Sequence, residues 1–175
     1  MLGISWPTYG FYFFIFFAFT PLIHLIESNK TENNFKLTFF SFITFLVWNT
    51  ITTYWLYYAT LTGMLFAIIV NSLLMSSIVL VSLFIWKKLG NKLSIIFFIS
   101  LWICFEKFHL NWDFSWPWLN LGNVFSENIK IIQWYEYTGV FGGSLWILIS
   151  NFVSYSFLKK LVNNENFKSN LIALS

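Results

Sequence analysis

The sequence predicts an all-α fold: a polytopic bundle of membrane helices with about five spans. Three observations carry that reading. Hydrophobic residues fill 58% of the 175 positions and charged ones only 10%, whereas ordinary soluble domains are ~45–50% apolar. Several uncharged runs reach the ~17–25 residues that a bilayer crossing requires. The charges collect in short segments between those runs, and mean hydropathy is +0.69.

The 23 Phe, 10 Trp and 8 Tyr exceed what core packing needs. Rings with an apolar body and a polar edge suit the lipid and headgroup level. The opening group Trp6, Pro7, Tyr9, Gly10 is aromatic and turn-rich, fitting an interface. A first span is predicted over 7–26, with Pro7 as a first-turn residue and Pro21 as a kink. Its first charge is Glu27.

After a polar loop comes the second span, 37–58, whose later half carries Trp48, Asn49, Thr50, Thr52, Thr53, Tyr54 and Trp55. So much polarity predicts contact with other helices or a cavity, and Asn49 an interhelical hydrogen bond. The third span, 64–86, has small or polar residues at Asn71, Ser72, Ser76 and Ser77 that admit a close neighbour. It ends at Lys87 and Lys88. The fourth, 93–108, bears Glu106, Lys107 and His109 at its far end.

Between the fourth and fifth spans lies the densest stretch of the chain, residues 112–122, with three tryptophans, one proline and one aspartate. Residues 123–136 read as amphipathic or irregular, and superficial. The fifth span, 137–158, is opened by Gly139, Gly142 and Gly143 and closed by Lys159 and Lys160. Glu136 is placed to favour its N-terminus through the helix dipole. Residues 163–170 are polar, and 170–175 read as the start of another apolar run, so the chain is expected to be truncated at both ends.

Ten lysines and no arginine carry the positive charge. Lys30, Lys36, Lys87, Lys88, Lys92, Lys159, Lys160 and Lys168 fall in alternate loops, which predicts that this side is cytoplasmic. The stretch 107–136 is then outside. No run of basic residues suits nucleic acid, and no cleavable signal precedes the first apolar run.

Cys104 is the single cysteine. It excludes a disulfide within the chain and a thiolate zinc site, and it reads as a small buried hydrophobe. No metal, cofactor or catalytic residue is assigned. Glu106, a costly carboxylate near lipid, is either kept for function, or simply solvated or paired with Lys107 or His109. Tryptophans at a membrane boundary are by default belt residues, so Trp116 and Trp118 gain a further role only through the pattern around them. Pro117 fixes its own φ and holds Trp116 extended, which makes the pair a rigid loop.

That pattern resembles the membrane region of the apolipoprotein N-acyltransferase family. The matching features are Trp102 followed by Glu106 at a helix end, then Trp116, Pro117, Trp118, Leu119 and Gly122, then Gly139 and the glycine-led helix to Asn151. Trp6 and Pro7 to Phe11, and Asn49 with Trp55, add to it. His109 departs from the pattern, standing where many members carry an arginine. The resemblance implies a bundle that, in the family, bears a nitrilase-like outer domain with the catalytic Glu, Lys and Cys; none of that domain is present here. It implies transfer of an acyl chain from a phospholipid donor to a lipoprotein acceptor, the S-diacylglyceryl cysteine at its N-terminus. On this reading Trp116, Pro117, Trp118, Glu106, Trp55 and Asn49 guide lipid. The alternatives are a non-catalytic membrane scaffold or lipid-binding module and, more weakly, a transporter, for which the spans offer no charge pair or repeat.

Overall fold

A computed structural model describes residues 1–7, 9–28 and 34–173. Most of the described residues are helical, with five α-helices: α1 (Thr20–Ser28), α2 (Asn34–Thr53), α3 (Leu61–Lys88), α4 (Asn91–His109) and α5 (Tyr135–Ala173). Short 3-10 turns cover Gly3–Ser5, Tyr12–Phe16, Tyr54–Tyr58, Pro117–Leu119 and Leu121–Phe125. Helix α2 packs along α3, α3 against α4, and α4 against α5, while α1 wedges between α5, α2 and α3. Three segments are long and apolar enough to cross a membrane: Asn34–Tyr58, Leu61–Lys88 and Tyr135–Asn163. Their outer faces expose large apolar side chains such as Phe39, Leu73 and Val153. In water that surface would drive aggregation, whereas in lipid it is the expected solvent contact.

The first span is not one helix. Residues 9–28 divide into turns, a 3-10 segment and the nine-residue α1. Pro21 therefore lies in the first turn of α1 and causes no kink, because its missing N–H is one that a helix start leaves unpaired anyway. The break is buried, with Ile15 and Phe19 almost inaccessible, so its backbone groups need partners from the protein. Asn151 of α5 supplies them: its Oδ1 accepts the Phe19 N–H at 2.8 Å and its Nδ2 donates to the Ile15 carbonyl at 2.7 Å. One side chain thus closes the gap in a neighbouring segment.

The polar half of the second span is divided by the helix surface. Trp48, Asn49, Thr52 and Thr53 are buried, while Tyr54 and Trp55 are exposed on the 3-10 turn beyond them. The seam with α3 forms as the small residues allow. Asn71 Nδ2 donates to Asn49 Oδ1 at 2.7 Å, and Asn49 Nδ2 donates to the Phe45 carbonyl at 2.8 Å and to Ser72 Oγ at 3.2 Å.

Lysine-bearing helix ends meet at one end of the bundle. Lys87 Nζ donates to Asn34 Oδ1 at 2.6 Å, joining the end of α3 to the start of α2. Glu27 of α1 receives Lys159 of α5 at 2.9 Å, Asn91 of α4 at 3.3 Å and the Tyr155 hydroxyl. Lys30 lies outside the described residues. Helix α5 continues to Ala173, so residues 163–170 extend it rather than forming a loop.

Gly139 breaks α5 near its start, with φ 64° and ψ −172°. A side chain would strain this left-handed backbone. The single turn that precedes it carries Glu136, which is exposed and separated by the break from the long helix it was expected to cap.

Candidate functional site: the tryptophan loop and its anchor

Residues 110–134 cross the end of the bundle opposite the lysine cluster. Their placement is decided by three contacts with two adjacent backbone units. Glu106, at the last turn of α4, accepts the Leu121 N–H at 2.8 Å. Ser144 Oγ accepts the Gly122 N–H at 3.0 Å, and the Tyr135 hydroxyl donates to the Gly122 carbonyl at 3.0 Å. Glu106 also receives the Trp102 indole N–H at 3.2 Å, and the Ser144 hydroxyl lies beside its carboxylate. The carboxylate is 2% exposed. Its partners are donors from the loop and the bundle interior, not Lys107 or His109.

Glycine makes this approach possible. A Cβ on Gly122 would overlap the Val140 carbonyl, and one on Gly143 would meet the Tyr135 hydroxyl and, at 3.0 Å, the Gly122 Cα. The loop and α5 therefore touch backbone to backbone. Beyond the anchor, Leu121, Val124 and Phe125 are buried, and Phe125 packs on Tyr12, Phe16 and Trp146 with centroids 5.3–5.9 Å apart. Residues 123–136 are thus partly core rather than wholly superficial.

The tryptophans form the other side of the loop. Pro117 opens the 3-10 turn Pro117–Leu119, which the Asn123 amide fastens by donating to the Pro117 carbonyl at 2.8 Å. Trp118 sits edge-on to Trp55 at 5.7 Å. Trp116 leans on Phe66 at 6.1 Å, Trp112 at 5.8 Å and His109 at 5.8 Å. His109 is 3% exposed and its Nδ1 accepts the Trp112 indole N–H at 3.1 Å. Below the turn, Asn49, Thr53, Ala67 and Asn71 meet Trp116 and Trp118 around a gap with no room for a water molecule. The Trp118 indole N–H and Asn71 Oδ1 are both buried there without a partner.

Of the six residues singled out from the sequence, five converge: Asn49, Trp55, Trp116, Pro117 and Trp118 make one aromatic-capped patch over α2 and α3. Glu106 does not join them. It points into the interior beneath Leu121 and holds the loop. Ser144, Tyr135 and Asn151 were not singled out, and only the glycines around position 143 signalled a close approach there. Cys104 also differs from expectation: it is exposed on the outer face of α4, not buried. Glu106 faces the opposite way, so the thiol and carboxylate cannot act as a pair. Among the described residues no three of His, Cys, Asp and Glu come together as metal ligands.

Residues 1–153 match the family described as apolipoprotein N-acyltransferase N-terminal domain. The chain belongs to that family. It is similar to the apolipoprotein N-acyltransferase of Chlorobaculum tepidum, 29% identical over 152 residues, which is 86% of this chain and 28% of that protein. The chain therefore spans a little over a quarter of its curated relative. No solved structure matches it significantly. The family match covers the anchor residues Glu106, Gly122, Tyr135, Ser144 and Asn151 together with the tryptophan patch.

Proposed function

We propose that this chain serves as the membrane platform of an N-acyltransferase of lipoprotein maturation, in which an acyl chain passes from a phospholipid to the free amino group of an S-diacylglyceryl cysteine. The observation that carries the reading is the family match over 1–153, laid on a bundle whose outer surface is apolar. In this proposal the bundle lies in a bacterial inner membrane with α4 and the broken segment 12–28 as further crossings. The lysine-rich end is cytoplasmic and the tryptophan loop faces outward.

The platform's part is positional. Nucleophilic acyl transfer needs a nucleophile, a base within hydrogen-bond reach and donors at the developing oxyanion. Cys104, turned to lipid and away from Glu106, has none of these. The patch of Trp55, Trp116 and Trp118 offers rigid ring faces to acyl chains at the interface. Glu106, Ser144 and Tyr135 fix where that patch stands. The exposed Trp55 ring set against Trp118 favours a second reading, a lipid-binding module of this family without chemistry of its own.

A chimaera decides between them. Residues 1–153 replace the matching region of the Chlorobaculum tepidum protein, and the mass of a lipoprotein N-terminus is read in cells depleted of their own enzyme. Restored N-acylation supports the platform reading. A chimaera that inserts and melts normally yet transfers nothing supports the module.

A further inference from the structure

Two consecutive lysines of α5 have different surroundings. Lys159 turns toward α1 and is paired with Glu27. Lys160 turns toward α4 and lines a groove of about 490 Å³ between the two helices. It has no acidic partner among the described residues. Apart from Ser156, whose hydroxyl donates to the Phe152 carbonyl at 2.9 Å, the rest of the groove is apolar, with Ile95 and Ile99 on α4 and Ile149, Val153 and Phe157 on α5. Val153 and Phe157 are 63% and 61% exposed, so the groove opens sideways onto the lipid-facing surface.

An apolar trough ending in an ammonium with no acidic partner among the described residues suits an amphiphile with an anionic head, and a phospholipid is the one a bilayer supplies in quantity. A long lysine stem lies along apolar surface while its charge reaches the headgroup level. Lys92, exposed in the first turn of α4, adds a second positive charge near that end of the helix pair. We propose that the α4–α5 groove holds an anionic phospholipid from the leaflet on the lysine side, with its phosphate on Lys160 and one acyl chain along Ile99 and Val153. The site lies at the end of the bundle opposite the tryptophan loop, so it is separate from the patch proposed to guide substrate. The inference rests on the reading of α4 and α5 as membrane helices.

The test is native mass spectrometry of the purified chain from detergent supplemented with phosphatidylglycerol, phosphatidylcholine or inorganic phosphate, after carbonate extraction has established insertion. The chain should retain phosphatidylglycerol in preference to phosphatidylcholine and should ignore inorganic phosphate. Lys160→Gln should lower phosphatidylglycerol retention about fivefold, the factor that one lysine contributes near an anionic surface. Val153→Trp, at an exposed position, should fill the trough and remove retention of both lipids without lowering the melting temperature. Lys88→Gln should leave retention unchanged. Undiminished retention in both Lys160→Gln and Val153→Trp would overturn the site. So would a dimer that Val153→Trp abolishes, since a second copy would then be the occupant. A chain that extracts into carbonate refutes the membrane reading itself.

Discussion

The Glu106 carboxylate accepts the backbone N–H of Leu121 at 2.8 Å, across fifteen residues of loop. This contact turns the tryptophan stretch from a tether between two helices into a fixed part of the bundle. A buried acceptor shared by a backbone and an indole donor cannot be removed without leaving both donors unpaired.

Glu106→Leu is expected to destabilise the protein by about 2–6 kcal/mol, because each of the two orphaned buried donors costs about 1–3 kcal/mol. Glu106→Gln keeps an acceptor oxygen and should cost less than half as much. Melting in detergent, read by circular dichroism, checks the order. Limited proteolysis adds a local measure, with cleavage between 110 and 120 accelerating in Glu106→Leu before global unfolding.

Gly122→Ala should also lower stability, by about 1–3 kcal/mol, the usual cost of forcing extra volume into a packed site. The added methyl would collide with the Val140 carbonyl, which belongs to helix backbone and cannot rotate away. Gly90→Ala meets nothing within 4 Å and should leave the melting temperature unchanged. Equal effects at the two glycines would show that the loop does not press on α5.

Asn151→Leu removes both partners that close the break before α1. The Phe19 N–H would stay buried and unpaired and the Ile15 carbonyl would keep only the Ala18 N–H at 3.4 Å, for about 2–4 kcal/mol in total. Asn49→Leu should cost about 1–2 kcal/mol, the range for a polar contact between membrane helices. The larger loss at position 151 is the expected outcome, measured by unfolding in mixed micelles.

Cys104 provides a probe without mutation. It is exposed on α4, and if α4 crosses the bilayer the thiol faces lipid. An apolar maleimide should label it in intact membranes, and a charged, impermeant maleimide should not. In a Cys104→Ala background, cysteines at positions 9 and 113 should react with the impermeant reagent from outside, and those at 88 and 160 only after permeabilisation. Outside labelling at 88 would reverse the orientation.

The sequence by itself determined the class of fold. Uncharged runs of span length force helices, because lipid leaves no other way to pair the backbone, and lysines at the ends of α3 and α5 mark where those runs stop. It also signalled that Asn49 would bond to another helix and that Asn71 and its small neighbours would admit one, while the structure made the two each other's partners. Five of the six lipid-guiding candidates were near one another for a local reason: Trp116, Pro117 and Trp118 are consecutive, and Asn49 and Trp55 lie at one end of one span. The tertiary structure alone decided the rest. Composition cannot distinguish a continuous apolar helix from one broken at Ile15–Thr20, because the break is made tolerable by Asn151, more than 130 residues away. The direction of Glu106 was likewise undecidable from its neighbours. Lys107 and His109 are close in sequence, but its partners are a backbone N–H fifteen residues on and an indole one turn back. A buried carboxylate takes whichever donors the packed chain brings to it, and here packing brought the loop.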